Sequence, residues 1–265
     1  MDPSASLTAP HAIRKMIREG DYSGPTIGFV PGFTQCNIII LPKEYAYDFL
    51  QFCHLNPDAC SLMAYSDSPG SYTLGTLGKD IDIRTDIPRY RVFKNGQLIE
   101  DVHDLSPIWQ PDLVTFALAS YLSYDYALNC AGLKSSAINP LHCLPLYIST
   151  LPCKSAGIFS GFNVVSMRPF TPSDLVKAIQ IGALNRSPHG LPVHCGEPKD
   201  IGIYDLNKPV FGEPIDINKK CMPVFWTSNM TAQLAITKIA PKLCIINSPE
   251  HLLVTDQQDV SLAIK

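Results

Sequence analysis

Apolar residues recur with two different periods near the start of the chain, and each period predicts a different element. Ile13, Met16 and Ile17 recur at helical spacing, which predicts a short helix that ends at Gly20. Residues 38–41 form a continuous apolar run, as in a strand buried on both faces. Residues 43–55 return to helical spacing, so a second helix is predicted to follow this strand.

Charged and branched apolar residues alternate one by one between residues 79 and 87. This alternation predicts an extended segment with Ile81 and Ile83 on one face and the charged side chains on the other. Two acids flank one arginine beside a proline, which favours a functional interpretation. We expect Asp82 and Asp86 to orient Arg84 toward a site.

The segment that follows is typical of a β-hairpin. Asn95 and Gly96 suit the positive φ angles of a type I′ turn, and apolar residues alternate on both sides of them. A two-residue turn sets Arg91 opposite Glu100, which gives these two charges a structural interpretation as a cross-strand pair.

The rest of the chain alternates between predicted helices and predicted strands. Residues 112–133 have the strongest helical pattern, with Gly132 as a C-terminal cap. Later helices are predicted from Thr171 or Ser173 and from Asn229 or Thr231. Strands are predicted in four further segments, 161–170, 221–228, 242–249 and 251–256. This order predicts an α/β fold with mixed sheets and packed helices, and the stretches 140–161 and 187–214 are predicted to be long loops near a site.

Composition and charge exclude several classes of protein. The chain is 46% hydrophobic and 17% charged, as in a globular protein, and its formal net charge of -3 comes without a basic cluster. We therefore expect no nucleic-acid partner. The N-terminus lacks the apolar core of a signal peptide and no segment has the length of a membrane span, so a cytoplasmic protein is expected. The nine scattered cysteines fit reduced, buried thiols better than disulfides.

Motifs for metal, nucleotide or ester chemistry have little support. His189 and His194 are five residues apart with a proline between them, which is not the spacing of a helical zinc pair. No phosphate-binding loop and no Gly-x-Ser-x-Gly elbow occurs in the sequence. We therefore expect no metal and no nucleotide cofactor.

Polar residues at predicted strand ends and beside glycine turns are the candidates for a binding site. An arginine fork matches a carboxylate, and a histidine near neutral pKa moves protons. Each residue also has a structural interpretation, such as an ion pair for Arg84 or a helix cap for Arg168. The candidates from residue chemistry are Gln35, Asn37, Arg84, Asp86, Arg91, Arg168, His189, His194, Asp205, Thr231 and Gln233, with the three arginines as possible partners of a carboxylate.

Eight short motifs, taken in order, resemble the D-glutamate cyclase family of hydro-lyases over about residues 18–256. They are GFVPGFTQCNIIILP, FCHLNPDAC, DIRTDIPRYRV, DLVTF, AGIFSGFNVVSMRP, HGLPVHCGEPKDIGIYDL, PVFW and VTD. The resemblance implies a soluble α/β protein of two intimately associated subdomains. Residues 1–17 are then expected to form a flexible leader and residues 257–265 a tail.

The resemblance also implies a reaction and a set of roles. The amine of D-glutamate attacks its own side-chain carboxyl, water leaves, and 5-oxo-D-proline forms without a cofactor. Arg84 or Arg168 is then the expected clamp for the α-carboxylate, and His194 or Asp125 is the expected proton-transfer group. Gln35, Asn37 and Thr231 are the expected neutral hydrogen-bond donors.

Two segments depart from the family pattern. Residues 119–125, ASYLSYD, have Ser120 at a cysteine position and Asp125 at a glutamate position, and residues 227–233, TSNMTAQ, have Ser228 at a second cysteine position. Two alternatives therefore stay open: an enzyme for a larger, more apolar substrate, and an inactive relative that binds a metabolite or a partner. The sequence also leaves open whether the chain forms a homo-oligomer.

Overall fold

A computed structural model describes residues 9–133, 144–184 and 190–259 of the chain. In these ranges no helix has the length and apolar character needed to cross a membrane. The helices are α1 (Pro10–Arg18), α2 (Lys43–Leu55), α3 (Pro57–Cys60), α4 (Leu122–Cys130), α5 (Pro172–Leu184) and α6 (Met230–Ile239). The strands are β1 (Phe33–Pro42), β2 (Leu62–Tyr65), β3 (Tyr90–Lys94), β4 (Gln97–Val102), β5 (Leu113–Ala119), β6 (Leu146–Pro152), β7 (Phe162–Phe170), β8 (His194–Cys195), β9 (Met222–Thr227), β10 (Cys244–Asn247) and β11 (Leu253–Gln258).

The larger sheet is built around β1. Its strand order is β2-β5-β1-β10-β3-β4, and β11 also pairs with β1, at the end where β1 begins. Ile38 and Ile40 are buried in one core and Ile39 and Leu41 in another, on the opposite face of the sheet. Burial on both faces is the reason for the continuous apolar run, and the predicted strand is confirmed.

The smaller sheet has the order β6-β7-β9-β8. Trp226 and Phe170 lie on the face that α4 and α5 cover, whereas Phe225 and Met167 lie on the face that the segment from about residue 201 to 217 covers. All strand pairs between these elements, in both sheets, are antiparallel rather than mixed.

Two helices connect the sheets because each follows a strand of one sheet and packs against the other sheet. Helix α4 follows β5 of the larger sheet, yet Tyr124 contacts Trp226 of the smaller sheet with ring centroids 5.7 Å apart. Helix α6 follows β9 of the smaller sheet, yet Ala232 and Ile236 share a core with Ile39 of the larger sheet. The predicted α/β class of two packed subdomains is confirmed.

The predicted N-terminal helix is also confirmed as α1. It is held by buried charge: Arg14 forms ion pairs with Asp80 and with Asp256, the second at 2.8 Å. Arg18 binds both carboxylate oxygens of Asp86 at 2.8 and 2.7 Å. Residues 10–17 of the expected leader are therefore part of the folded region, and residues 1–8 lie outside the described residues.

The prediction of an extended segment at residues 79–87 is wrong, because aspartate side chains close turns there. Asp82 Oδ1 accepts a hydrogen bond from the backbone N–H of Arg84 at 2.9 Å, and Asp86 Oδ2 accepts one from the N–H of Asp82 at 2.9 Å. Such bonds offer the backbone an alternative to strand pairing. The alternation still has a cause, since Ile81 and Ile83 are buried in the core under the larger sheet.

The prediction of a helix over residues 112–133 is wrong for its first half. Residues 113–119 form the fully buried strand β5, between β1 and β2, and the helix α4 begins only at Leu122. A short apolar run fits a buried strand and a buried helix equally well. Pairing with β1 along seven residues decides the outcome here.

The hairpin prediction is confirmed, but the predicted charge pair is wrong. Asn95 and Gly96 have φ angles of 49° and 77°. The register shifts between Val92 and Phe93, so Arg91 lies opposite Asp101 and not Glu100. A one-residue bulge moves every later partner by one position, and the sequence gives no sign of it.

The two predicted long loops contain short regular elements. The stretch 140–161 includes β6, and residues 134–143 lie outside the described residues. The stretch 187–214 includes β8 and a 3₁₀ turn at Pro198–Ile201, where Glu197 accepts a capping bond from the N–H of Lys199.

The described cysteines are free thiols, and five of them are buried. Burial raises the pKa of Cys36 and of Cys244 to about 12. At about pH 8 we expect a thiol reagent to label exposed Cys130 quickly in the folded protein and to leave these two unlabelled. Peptide mass spectrometry before and after unfolding measures this. Fast labelling of Cys36 in the folded protein would contradict the described core.

Candidate active site

A cavity of about 190 Å³ lies between the two sheets. Strands β1, β3 and β10 of the larger sheet line one side, and β6, β7 and the junction of β9 with α6 line the other. Its polar lining includes Asn37, Arg91, Ser120, Ser166, Thr227 and Asn229. A concave site with a few convergent polar groups is the usual form of a small-molecule site.

Two strand-to-helix junctions meet at this cavity. The side-chain amide of Asn229, just before α6, donates a hydrogen bond of 2.6 Å to the carbonyl of Ala119, at the end of β5. The backbone N–H of Ser120 donates to the carbonyl of Gln35 at 2.9 Å, which ties the same junction to β1. Ser120 and Ser228, the serines at the family's two cysteine positions, therefore line one cavity.

Four buried polar atoms of the lining have no hydrogen-bond partner within the described part of the protein. They are Nε of Arg91, Oγ of Ser120, Oγ1 of Thr227 and Oδ1 of Asn229. A buried polar group without a partner costs about 1–3 kcal/mol, so such groups are rare unless a ligand or solvent satisfies them. The set combines a cation and two hydroxyl donors with one amide acceptor.

Among the described residues, Arg91 is the arginine that lines the cavity. Its Nε lies 3.7 Å from Oδ1 of Asp101, too far for a hydrogen bond, and the side chains of both residues are only partly exposed. The sequence left two interpretations of Arg91 open, a cross-strand ion pair and a partner for a carboxylate. In the structure, its guanidinium retains donors for another anion.

Glu250 is the carboxylate that lines the cavity among the described residues. Its φ of 67° is unusual for a residue with a side chain. Two bonds to its carbonyl oxygen hold this conformation, from the N–H of Thr26 at 2.9 Å and from the Thr26 hydroxyl at 3.2 Å. Backbone strain of this kind is concentrated at functional sites.

A second cavity, of about 270 Å³, adjoins the first. The two share four lining residues, namely Arg91, Met230, Gln233 and Ile246. Strand β3, strand β10 and helix α6 form most of its wall.

Three of the residues predicted from sequence lie at or beside the first cavity. Asn37 lines it, and its Oδ1 accepts a bond of 3.3 Å from the Asn247 amide. Gln233 lines both cavities. Gln35 contributes its backbone to the site, while its side-chain amide donates to the carbonyl of Phe29.

Arg168 and Asp125 pair with each other behind the cavity wall. Nε and Nη2 of Arg168 donate to Oδ1 of Asp125 at 3.1 and 2.8 Å, and Nη1 donates to the hydroxyl of Ser166, which lines the cavity. Burial raises the pKa of Asp125, and the Arg168 guanidinium opposes this effect. Arg168 is 1% exposed, so this pair positions Ser166 and itself has no open route to a ligand.

Arg84 and Asp86 are engaged elsewhere. Arg84 binds Asp82 at 3.0 and 2.7 Å, and its guanidinium carbon lies 3.6 Å from the centre of the Tyr72 ring. The expectation that Asp86 orients Arg84 is wrong, because Asp86 is buried and binds Arg18. Neither residue lines the two cavities described above.

His194 and Thr231 also use their polar atoms within the fold. His194 Nε2 lies 2.8 Å from the carbonyl of Glu197, and its ring packs near Phe225 on the smaller sheet. The Thr231 hydroxyl accepts a bond from the N–H of Val164 at 3.0 Å and lies 3.3 Å from the carbonyl of the same residue. His189 lies outside the described residues.

Among the described residues, no group of three or more histidine, cysteine, aspartate or glutamate side chains is placed to hold a metal ion.

The functional candidates that sequence reasoning missed are Ser120, Thr227, Asn229 and Glu250. The available signal for the first three was their place at a strand end directly before a helix, where site residues often occur. For Ser120 that signal was hidden, because β5 was predicted to be helical. Glu250 gave no signal, since its positive φ is visible only in the structure.

The structure defines an α/β protein with a cavity, lined in part by polar side chains, between two antiparallel sheets. The family model of D-glutamate cyclase matches residues 114–256. Three similar proteins each have the name "Putative hydro-lyase". The protein from Shewanella woodyi is 45% identical to this chain, and the match covers 95% of this chain and 93% of the relative. The protein from Stutzerimonas stutzeri is 41% identical, and the match covers 97% of this chain and 96% of the relative. The protein from Xanthobacter autotrophicus is 40% identical, and the match covers 99% of this chain and 95% of the relative.

The chain belongs to the D-glutamate cyclase family, and the resemblance seen in its motifs is confirmed. Family and names together support a lyase-type enzyme.

Proposed function

We propose that the cavity between the sheets binds a small amino or organic acid and removes water from it, with D-glutamate, which closes to 5-oxo-D-proline, as the default substrate. The observation that carries this proposal is the set of four unpartnered polar atoms in the lining. They offer a cation for a carboxylate, hydroxyls for a second carboxyl group, and an acceptor for an amine.

The proposed reaction balances without an external reactant. The amine nitrogen attacks the carbon of the protonated side-chain carboxyl group, a C–N bond forms, and the carbonyl oxygen of that group becomes an oxyanion. The C=O bond then re-forms as the C–O bond to the hydroxyl oxygen breaks, and this hydroxyl leaves as water with the proton that the amine nitrogen loses. The chemistry therefore calls for one carboxylate clamp, one oxyanion site and one group that moves a proton, and it calls for no cofactor.

Arg91 is the proposed clamp. The three arginines first considered differ in what already binds them: Arg84 and Arg168 each donate directly to an aspartate, whereas the aspartate nearest Arg91 is 3.7 Å from its Nε. A carboxylate substrate that reaches Arg91 gains charge-assisted bonds that the protein does not already make.

Ser120 and Thr227 are the proposed oxyanion donors, and Glu250 is the proposed proton-transfer group. The two hydroxyls are buried and fixed at the ends of β5 and β9, so they need little reorganisation when charge develops. Glu250 brings a carboxylate to the same cavity on a backbone that Thr26 holds in place.

The test is turnover of D-glutamate, followed as 5-oxo-D-proline by chromatography, with L-glutamate as the stereochemical comparison. In Ser120→Ala we expect kcat to fall about 10- to 100-fold, because a hydroxyl that binds a charged group is lost. Arg84→Ala is the matched control, since Arg84 lies outside both cavities, and its kcat should equal that of the wild type.

Two results would overturn the proposal. One is wild-type protein that neither converts D-glutamate nor binds any small carboxylic acid in a saturable way. The other is an Arg84→Ala variant that loses as much activity as Ser120→Ala while it stays folded.

A further inference from the structure

The second cavity has no part in the proposed reaction. It shares Arg91 and Gln233 with the first cavity, whereas Ser120 and Thr227 do not line it, and it is the larger of the two, at about 270 against about 190 Å³. Glutamate bound between Arg91 and those hydroxyls would leave it unfilled. Its walls therefore need another explanation.

The walls of the second cavity are mainly apolar. Phe93, Val164, Leu234 and Ile246 contribute to them, and Arg91 is the charged side chain of its lining. Two further apolar lining residues are largely exposed to solvent, Ile148 at 43% and Val210 at 57%. Each Å² of apolar surface removed from water contributes about 25 cal/mol, so an apolar group placed here would bind favourably.

We infer that the natural substrate is an amino or hydroxy acid that carries an extended apolar substituent. This inference rests on the proposed function, because it places the reacting polar end in the first cavity and the carboxylate at Arg91. The apolar arm then extends along α6 into the second cavity. Arg91 is suited to this position because it lines both cavities.

Met230 and Gln233 lie where the cavities join, one turn apart on α6. A methionine side chain is unbranched and adapts to different apolar shapes. Gln233 is, with Arg91, one of the two polar residues that line both cavities. The junction thus connects the cavity that contains the Ser120 and Thr227 hydroxyls with the cavity into which the apolar arm of the inferred substrate extends.

The experiment measures the dissociation constants of unbranched carboxylates from butanoate to decanoate by calorimetry, with D-glutamate as a reference ligand. For wild-type protein we expect binding to tighten about three- to fourfold with each added methylene until the second cavity is filled. Thr237→Phe should abolish this gain and leave glutamate binding unchanged. Thr237 lines the second cavity alone and is exposed on α6, so the larger side chain fills the cavity without disturbing the core.

Lys238→Phe is the matched control, since Lys238 is the next residue on α6 and lies outside the lining of both cavities. In Lys238→Phe, the affinity for carboxylates should increase with chain length as it does in the wild type. If affinity for the carboxylates does not change with length while glutamate binds, the inference is wrong and the proposed function stands. The inference is also wrong if Thr237→Phe keeps the full gain, or if Lys238→Phe loses it equally. If neither glutamate nor any other acid binds, the proposed function fails and the inference fails with it.

Discussion

Replacing Arg168 with methionine is expected to lower the free energy of unfolding by about 3 kcal/mol, because it leaves Asp125 without its cation. Asp125 keeps 20% of its side chain exposed, which places the effect at the lower end for a broken buried pair. Chemical denaturation followed by tryptophan fluorescence measures the loss, since Trp226 packs beside Tyr124 next to this pair.

The loss in the free energy of unfolding caused by Arg168→Met, called the deficit below, should depend on pH. Burial already raises the pKa of Asp125, and removal of Arg168 removes the effect that opposes this rise. A folded-state pKa above the unfolded value gives stability that is present at low pH and is lost as pH rises through the folded pKa. The deficit should therefore be smaller at about pH 4 than at about pH 8.

Arg84→Met is the matched control for this prediction. Arg84 also binds an aspartate, but its side chain is 26% exposed and that of Asp82 is 22% exposed, so its loss should cost at most about 1 kcal/mol. The double change Arg168→Met with Asp125→Leu should recover much of the loss, because neither charge of this pair then remains. Equal destabilisation by Arg84→Met and Arg168→Met would show that the described burial is wrong.

Replacing Arg91 with alanine is expected to weaken binding of D-glutamate about 10- to 150-fold, because a hydrogen bond to a charged group contributes about 1.5–3 kcal/mol and the Arg91 side chain is 37% exposed. The affinity of Arg91→Lys for D-glutamate should lie between those of the wild type and Arg91→Ala. The lysine ammonium keeps the charge but lacks the planar fork that matches a carboxylate. Titration calorimetry at constant salt measures these affinities, and thermal unfolding shows whether each variant is folded.

Asp101→Asn separates binding from a purely structural role of Arg91. Asp101 is the anion nearest to Arg91, and removing its charge takes a competitor away from the guanidinium. Glutamate should then bind as tightly as in the wild type or more tightly. If Arg91 acts only in the hairpin, Asp101→Asn and Arg91→Ala should change stability together and leave the affinity of the folded protein unchanged.

Local chemistry was enough to predict several elements. Thr171, one of the two predicted caps, accepts the N–H of Asp174 at 3.2 Å at the start of α5. The Asn-Gly turn, the strands around Trp226 and Ile245, and the helix α6 also agree with their patterns. For the Thr171 cap and the Asn-Gly turn, the deciding interaction lies within a few residues of the chain. Strands β9 and β10 pair with strands that are distant in sequence, and their apolar runs agree with burial in the two sheets.

Choices between equally suitable partners could not be predicted. Residues 113–119 suit a helix or a buried strand, and β1 decides in favour of the strand. Asp86 can pair with Arg84 nearby, yet it binds Arg18, which is 68 residues away. The candidate site shows the same limit, because Arg91, Ser120 and Asn229 come from distant parts of the chain.

The sequence by itself determined the family, the α/β class and the elements whose signals are local. Only the tertiary structure decided which arginine reaches a cavity and which polar atoms remain without partners there. The physical reason is that an ion pair depends on distance in space, and burial depends on what the rest of the chain places above a residue.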